Sequence, residues 1–172
     1  MTAPFTAEMH GRLRELLTRF KLPTFASEVV TRFSNAGHDD ALPTLLEVLE
    51  AESDERGQRR CERLLKASRL PSGKTFATLD DARLPRPVVA KLRELASGDF
   101  LERADNVLCF GLPGRGKSHA AAALGHALVQ RGRSVLFTPT FRLVQELLAA
   151  KRDLALPRAL QKLDAFECIV LD

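Results

Sequence analysis

A chain of 172 residues with 45% apolar content can bury one good domain or two small ones, and a formal charge of +4 with a pI ≈ 9.2 allows a nucleic-acid partner without requiring one. Cys61, Cys109 and Cys168 are odd in number and far apart, with neither zinc-type paired spacing nor a disulfide framework, which points to a reducing cytoplasm. No apolar run is long enough to span a bilayer, and Glu8, His10 and Arg12 interrupt any secretory pattern, so no membrane partner and a soluble chain are expected.

From Thr6, Leu13, Leu16, Leu17 and Phe20 recur at helical spacing, and Pro23 ends that pattern. Phe25, Val29 and Phe33 mark a second helix stopped by Gly37. Asp39 or Asp40 caps a third, with Pro43 in its first turn and Leu45, Leu46 and Leu49 on its buried side. Between Glu50 and Lys74 the apolar residues thin out. There Arg56, Arg59, Arg60, Arg63, Lys66 and Arg69 follow at spacings that line most of them along one helical face. Two readings of this stripe stand side by side. It is a solvated face on which Glu52, Glu55 and Glu62 form weak local pairs, or it is a surface for DNA phosphates. If about five of these residues meet a duplex, log K falls with log salt at a slope of roughly −4 to −5.

Leu70 to Pro87 carries Pro71, Gly73, Pro85 and Pro87 and reads as a connector. The expected organisation is a helical, partly basic domain over 1–70, a connector over 71–87, and an α/β domain over 88–172. Val88 to Ala96 predicts a short helix ended by Gly98, and Phe76 and Phe100 read as packing residues rather than base contacts. Asn106-Val107-Leu108-Cys109-Phe110 has the composition of a strand buried on both faces. A helix over Lys117 to Gln130, stopped by Gly132, and a strand over Ser134 to Thr138 complete a strand–helix–strand unit with a parallel, right-handed crossover. Thr140 then caps a helix with Leu143, Val144, Leu147 and Leu148. A short amphipathic stretch with Leu156, Leu160 and Leu163 precedes the apolar run Cys168-Ile169-Val170-Leu171, which ends in Asp172.

Between the first expected strand and its helix lies Gly111-Leu112-Pro113-Gly114-Arg115-Gly116-Lys117-Ser118, which satisfies G-x-x-x-x-G-K-[ST] at every fixed position. Backbone N–H groups must wrap a triphosphate at close range, and Gly111, Gly114 and Gly116 permit both the approach and the torsions. The helix behind points its positive end at the phosphates, Lys117 adds a full charge on the β- and γ-phosphates, and the Ser118 hydroxyl is placed for Mg²⁺. Asp172, ending an apolar run downstream of such a loop, is the matching carboxylate on the magnesium side. ATP and Mg²⁺ are therefore the expected ligands. A dinucleotide-binding turn fits poorly, because the strand after the helix is followed by Pro139 and Thr140 rather than by an acid.

The helical first unit with its Arg-rich helix, then Leu95-Ala96-Ser97-Gly98-Asp99-Phe100-Leu101-Glu102-Arg103, then Asn106-Val107-Leu108, then Gly111 to His119, resemble in this order the IstB-like helper ATPases of insertion sequences. These are AAA+ ATPases related to DnaC-type helicase loaders. The resemblance implies a helical domain followed by the first part of a P-loop parallel-sheet ATPase domain, incomplete at its C-terminal side. It also implies ATP-controlled assembly of several copies on double-stranded DNA and recruitment of a transposase. His119 joins the nucleotide-contacting set by its place directly after Gly-Lys-Ser. In the family the Asp ending the second motif is followed by a catalytic Glu, with polar sensors and an arginine finger later. None of these lies within residues 1–172, so no catalytic residue is assigned.

In the resembled fold a further strand lies between the phosphate-loop strand and the one ending at Asp172. The chain is thus expected to be a fragment whose two strands either collapse together or leave backbone groups unpaired. Helicase loading is the neighbouring function. A small-molecule kinase would need a lid with arginines after the second motif, and an interaction protein could hold ATP as a structural element.

Overall fold

The computed structural model describes residues 3–172, with side chains from Thr6 onward. The chain divides into two compact units, residues 1–59 and 60–172. In the first, helix α1 (Ala3–Arg19) is followed by α2 (Pro23–Asn35), a 3-10 turn (Asp39–Ala41) and the beginning of α3 (Leu42–Ser68). Pro23 both ends the first helical pattern and opens the second helix, where its missing N–H costs nothing. Lys21 takes a left-handed turn between them (φ 62). Gly37 closes α2 as the spacing predicted. It takes φ 74, with His38 N–H bonded to Phe33 O at 2.9 Å and Gly37 N–H to Ser34 O at 3.0 Å. Leu13, Leu17, Ala26, Val29, Val30 and Leu42 form the core of this unit. Full burial of each such leucine is worth about 1.5–3 kcal/mol.

The expected third helix and the basic stretch after it are one continuous helix of 27 residues. Asp39 and Asp40 lie in the 3-10 turn ahead of it rather than capping it, and Asp39 accepts a hydrogen bond from the Ser34 hydroxyl. The division between units falls inside α3, at Arg59/Arg60, whereas the composition placed it at 71–87. The proline- and glycine-containing segment is held against the second unit: Leu70 and Phe76 pack onto its core.

That core consists of Leu95, Phe100, Leu124, Leu128, Val129 and Val135. Helices α4 (Arg86–Leu95) and α5 (Asp99–Glu102) precede the glycine loop, and α6 (Lys117–Gln130) follows it. Ala120, Ala122 and Ala123 are buried on α6, where small side chains let the helix lie close to its neighbours. Strand β1 (Val135–Thr138) is buried along its whole length. It pairs in parallel with β2 (Cys168–Leu171), in register from Val135↔Cys168 to Thr138↔Leu171. The crossover between them runs through α7 (Thr140–Arg152) and α8 (Leu156–Leu163). Thr140 is the first residue of α7 and makes no side-chain cap; Pro139 takes the cap position. On β2, Cys168 and Val170 reach the core while Ile169 and Leu171 remain exposed.

The expected strand at 106–110 does not form. Leu108 is 75% and Phe110 87% exposed, and the only sheet among the described residues is β1–β2. A strand exists only with a ladder partner, and neither β1 nor β2 pairs with this run, so an apolar run of the right composition is left without one. The expected strand–helix–strand unit around the loop is therefore absent. The run does not pair with β2, and its exposed position leaves its backbone groups to water.

One polar cluster fastens the start of both strands. Arg133 bridges Glu102 and Glu167, while Glu167 also accepts from Ser134 N–H at 2.8 Å and from the Ser134 hydroxyl at 3.2 Å. Partial burial pushes the Glu167 carboxyl up, but the Ser134 N–H, Arg133 and the Ser134 hydroxyl together hold it below its ordinary range. A carboxyl with a lowered folded-state pKa stabilises above its unfolded value, roughly 4.3, and that stabilisation is lost as pH falls through the folded value. Urea unfolding of the Glu167→Gln variant should accordingly show a flatter acid dependence than wild type. Identical pH profiles would remove the carboxylate from this account.

Candidate functional site

The loop from Gly111 to Ser118 takes the shape that its glycines predicted. Gly114 (φ 75) and Gly116 (φ 80) adopt backbone conformations that a side chain would strain, and a Cβ at either would meet nothing within 4 Å. Conformation rather than space is what requires glycine there. Gly116 caps α6, and Ala120 N–H bonded to Gly116 O at 2.8 Å begins the helical ladder. The N–H groups of Lys117, Ser118 and His119, in the first turn of α6, therefore have no intrahelical acceptor. Three aligned donors at the positive end of a 14-residue helix form a seat for an anion.

Lys117 Nζ donates to Gly111 O at 2.9 Å and Leu112 O at 3.0 Å, so the ammonium already lies inside the loop. Ser118 Oγ donates to Asp172 Oδ1 at 2.5 Å. The structure thus joins two residues 54 positions apart that the sequence assigned to one metal side. β2 delivers the carboxylate, anchored by Asp172 N–H to Thr138 O at 3.1 Å and by Thr140 N–H to Asp172 O at 2.9 Å. The donor set fits Mg²⁺, which takes one or two protein oxygens and completes its shell with phosphate and water. Leu112, Pro113, Gly114 and Arg115 form the exposed rim of the loop. His119 is half-buried, with its ring turned toward the segment before α4.

Beside the loop opens a cleft of about 620 Å³, walled by Leu84, Pro85, Val88 and Leu92 and floored by Gly116 and Lys117. Its lining is mostly apolar, and it is continuous with the loop through Gly116 and Lys117. Its wall residues were missed at the level of sequence, because nothing in their spacing distinguishes a cleft wall from ordinary helix packing. Phe100 is buried in the core and Phe76 packs beside it, as expected of packing residues.

The six basic residues of the stripe divide among several tasks. Arg56 and Arg59 pair with Glu52 and Glu55 one turn back, each at 2.6 Å, and the Arg56 guanidinium lies 4.4 Å from the centroid of the Phe20 ring. Arg60 donates to Gly132 O at 3.0 Å, at the end of α6. Arg69 lies past the end of α3 with a left-handed backbone (φ 57) and faces Glu146 at 3.6 Å. Arg63 and Lys66 are carried on the same helix. The local pairs of the solvated-face reading are thus present on part of the stripe.

Comparison with known proteins gives the family. The family model described as "IstB-like ATP binding protein" matches residues 16–172. An insertion sequence ATP-binding protein of Sinorhizobium fredii is 40% identical over 166 residues, covering 94% of this chain and 55% of its own length. The insertion sequence IS21 ATP-binding protein of Pseudomonas aeruginosa is 37% identical, covering 95% of this chain and 62% of its own. That of insertion sequence IS5376 from Geobacillus stearothermophilus is 31% identical, covering 89% and 62%. The chain thus spans between about half and two thirds of the length of these relatives. No helix among the described residues is long and apolar enough to cross a membrane.

Proposed function

We infer a role for this protein with its family as the premise: the chain belongs to the IstB-like ATP binding protein family. We propose that it binds ATP with Mg²⁺ at residues 111–119, and that the bound nucleotide controls assembly of several copies on double-stranded DNA to which a transposase is recruited. The observation that carries this reading is the loop itself, with its glycine backbone, the inserted Lys117 ammonium and the Ser118–Asp172 contact.

The chain's own residues bind and orient. Phosphate oxygens take the place of the Gly111 and Leu112 carbonyls as acceptors for Lys117, and the N–H groups of Lys117, Ser118 and His119 hold the same oxygens at the head of α6. Ser118 and Asp172 hold the Mg²⁺ ion, whose contribution is to neutralise phosphate charge. The base enters the cleft against Leu84, Pro85 and Val88. Hydrolysis by the whole protein is part of this proposal, with no catalytic residue assigned among 1–172. A cytoplasmic location and the absence of a membrane partner belong to the same reading, as does the domain organisation 1–70, 71–87 and 88–172.

The basic residues of α3, with Arg69 just past its end, are proposed as the DNA surface, and Arg63 and Lys66 serve to test it. Phosphate contacts carry no base information, so the double variant Arg63→Ala/Lys66→Ala should bind all duplexes more weakly by a similar factor. The slope of log K against log salt should become shallower by about 2. Fluorescence anisotropy with a labelled duplex at four salt concentrations, with and without ATP and Mg²⁺, measures both. DNA affinity indifferent to ATP would overturn the proposal, and an unchanged slope would return α3 to a solvated face.

A further inference from the structure

The geometry points to His119 as a positioning residue that ties the segment 71–78 to the phosphate loop, so that a triphosphate in the loop orders that segment. The inference rests on the nucleotide reading above and adds to it a means by which occupancy is passed on.

His119 Nε2 lies 3.2 Å from Thr75 O and 3.2 Å from Thr78 Oγ1. A carbonyl can only accept, so Nε2 carries the proton and its N–H is forked between the two oxygens. The turn it holds is closed at Thr78: the hydroxyl donates to Gly73 O at 2.5 Å and accepts from Thr75 N–H at 3.0 Å, and the Thr78 N–H donates to Thr75 O at 3.2 Å. Two turns along α6, His126 Nε2 donates in the same way to Pro71 O at 3.0 Å. Residues seven apart share a helix face, so two imidazoles pin one strap along α6. Between them the Leu70 side chain occupies the place of a missing Cβ: a Cβ on Gly125 would stand 2.7 Å from Leu70 Cδ2.

The two anchors differ in what else they touch. His126 lies in the third turn of α6, beyond reach of the loop. His119 is the third residue of the helix, and its own N–H is one of the three donors with no helical acceptor. One residue thus offers its main chain to the phosphate and its ring to the strap. A phosphate oxygen that takes the His119 N–H fixes the backbone on which the ring rides, and with it the turn at 73–78. Beyond the strap the chain runs directly back through Leu70 and Arg69 into α3.

Amide hydrogen exchange read by mass spectrometry tests this, using the protein saturated with the β,γ-imido analogue of ATP and Mg²⁺ and the protein without nucleotide. Exchange over residues 74–79 should slow by about tenfold or more on nucleotide binding. His119→Ala and Thr78→Val, each measured at its own saturating nucleotide concentration, should lose that difference. His119→Gln, which restores an N–H at similar reach, should recover part of it. His126→Ala should speed exchange near residue 72 yet keep the nucleotide response at 74–79. Nucleotide binding with unaltered exchange at 74–79 in the wild type overturns this inference alone, and so does a full response in His119→Ala. Failure to bind nucleotide at all overturns both this and the proposed function.

Discussion

Lys117→Ala should weaken ATP binding by about 100-fold or more in calorimetry with Mg²⁺, while helical circular dichroism stays close to that of wild type. The ammonium donates to two loop carbonyls at 2.9 and 3.0 Å and stands where phosphate oxygens would take their place. A hydrogen bond to a charged group is worth about 1.5–3 kcal/mol, and two lost together amount to about two to four powers of ten in affinity. The fold has no comparable stake in this side chain, because its two acceptors lie on an exposed loop where water can replace the ammonium. Nucleotide-dependent assembly should disappear with binding. Unchanged affinity would remove Lys117 from the site and take the central argument with it.

The second large effect falls on stability. Leu128→Ala should lower the unfolding free energy by about 2–5 kcal/mol, read from the urea midpoint at constant m-value. Leu128 is fully buried in the core with Leu95, Phe100, Val129 and Val135, and it lies on α6, the helix that presents the loop. Gly98 approaches it so closely that a Cβ there would be 3.3 Å from Leu128 Cδ2. The surrounding backbone is thus already drawn in and has little room to collapse into a cavity. Truncation should leave the second unit loose and nucleotide binding weaker, through the helix rather than through any phosphate contact. A loss below about 1 kcal/mol would show that the site repacks.

The helices were legible because each carries its own punctuation. Gly37 and Gly132 end α2 and α6 as their positions announced, and the apolar spacing of Leu13, Leu16 and Leu17 put the right face inward. The turns of the glycine loop were legible for the same reason, since their conformation is written into Gly114 and Gly116. The run at 106–110 was misjudged because composition reports what a segment could bury and is silent on whether a ladder partner lies alongside. The path of the connector was only partly legible: prolines and glycines mark an irregular course, while Leu70, Phe76 and the acceptors for His119 and His126 decide whether that course is held down. No local pattern announces a contact 44 or 55 residues away. The basic stripe was legible as charge, but its division between Glu52, Glu55, Gly132 and Glu146 depends on neighbours that only the folded chain supplies.

Arg60, resting on the carbonyl of Gly132, places a guanidinium at the far pole of the helix that carries the phosphate seat at its head. The partial negative charge at that pole is thereby compensated where it is strongest, at the end of the last turn of the helix. Such a charge at a solvent-exposed helix end contributes up to about 1 kcal/mol to holding the helix, and the contribution fades as added electrolyte shortens the reach of the field.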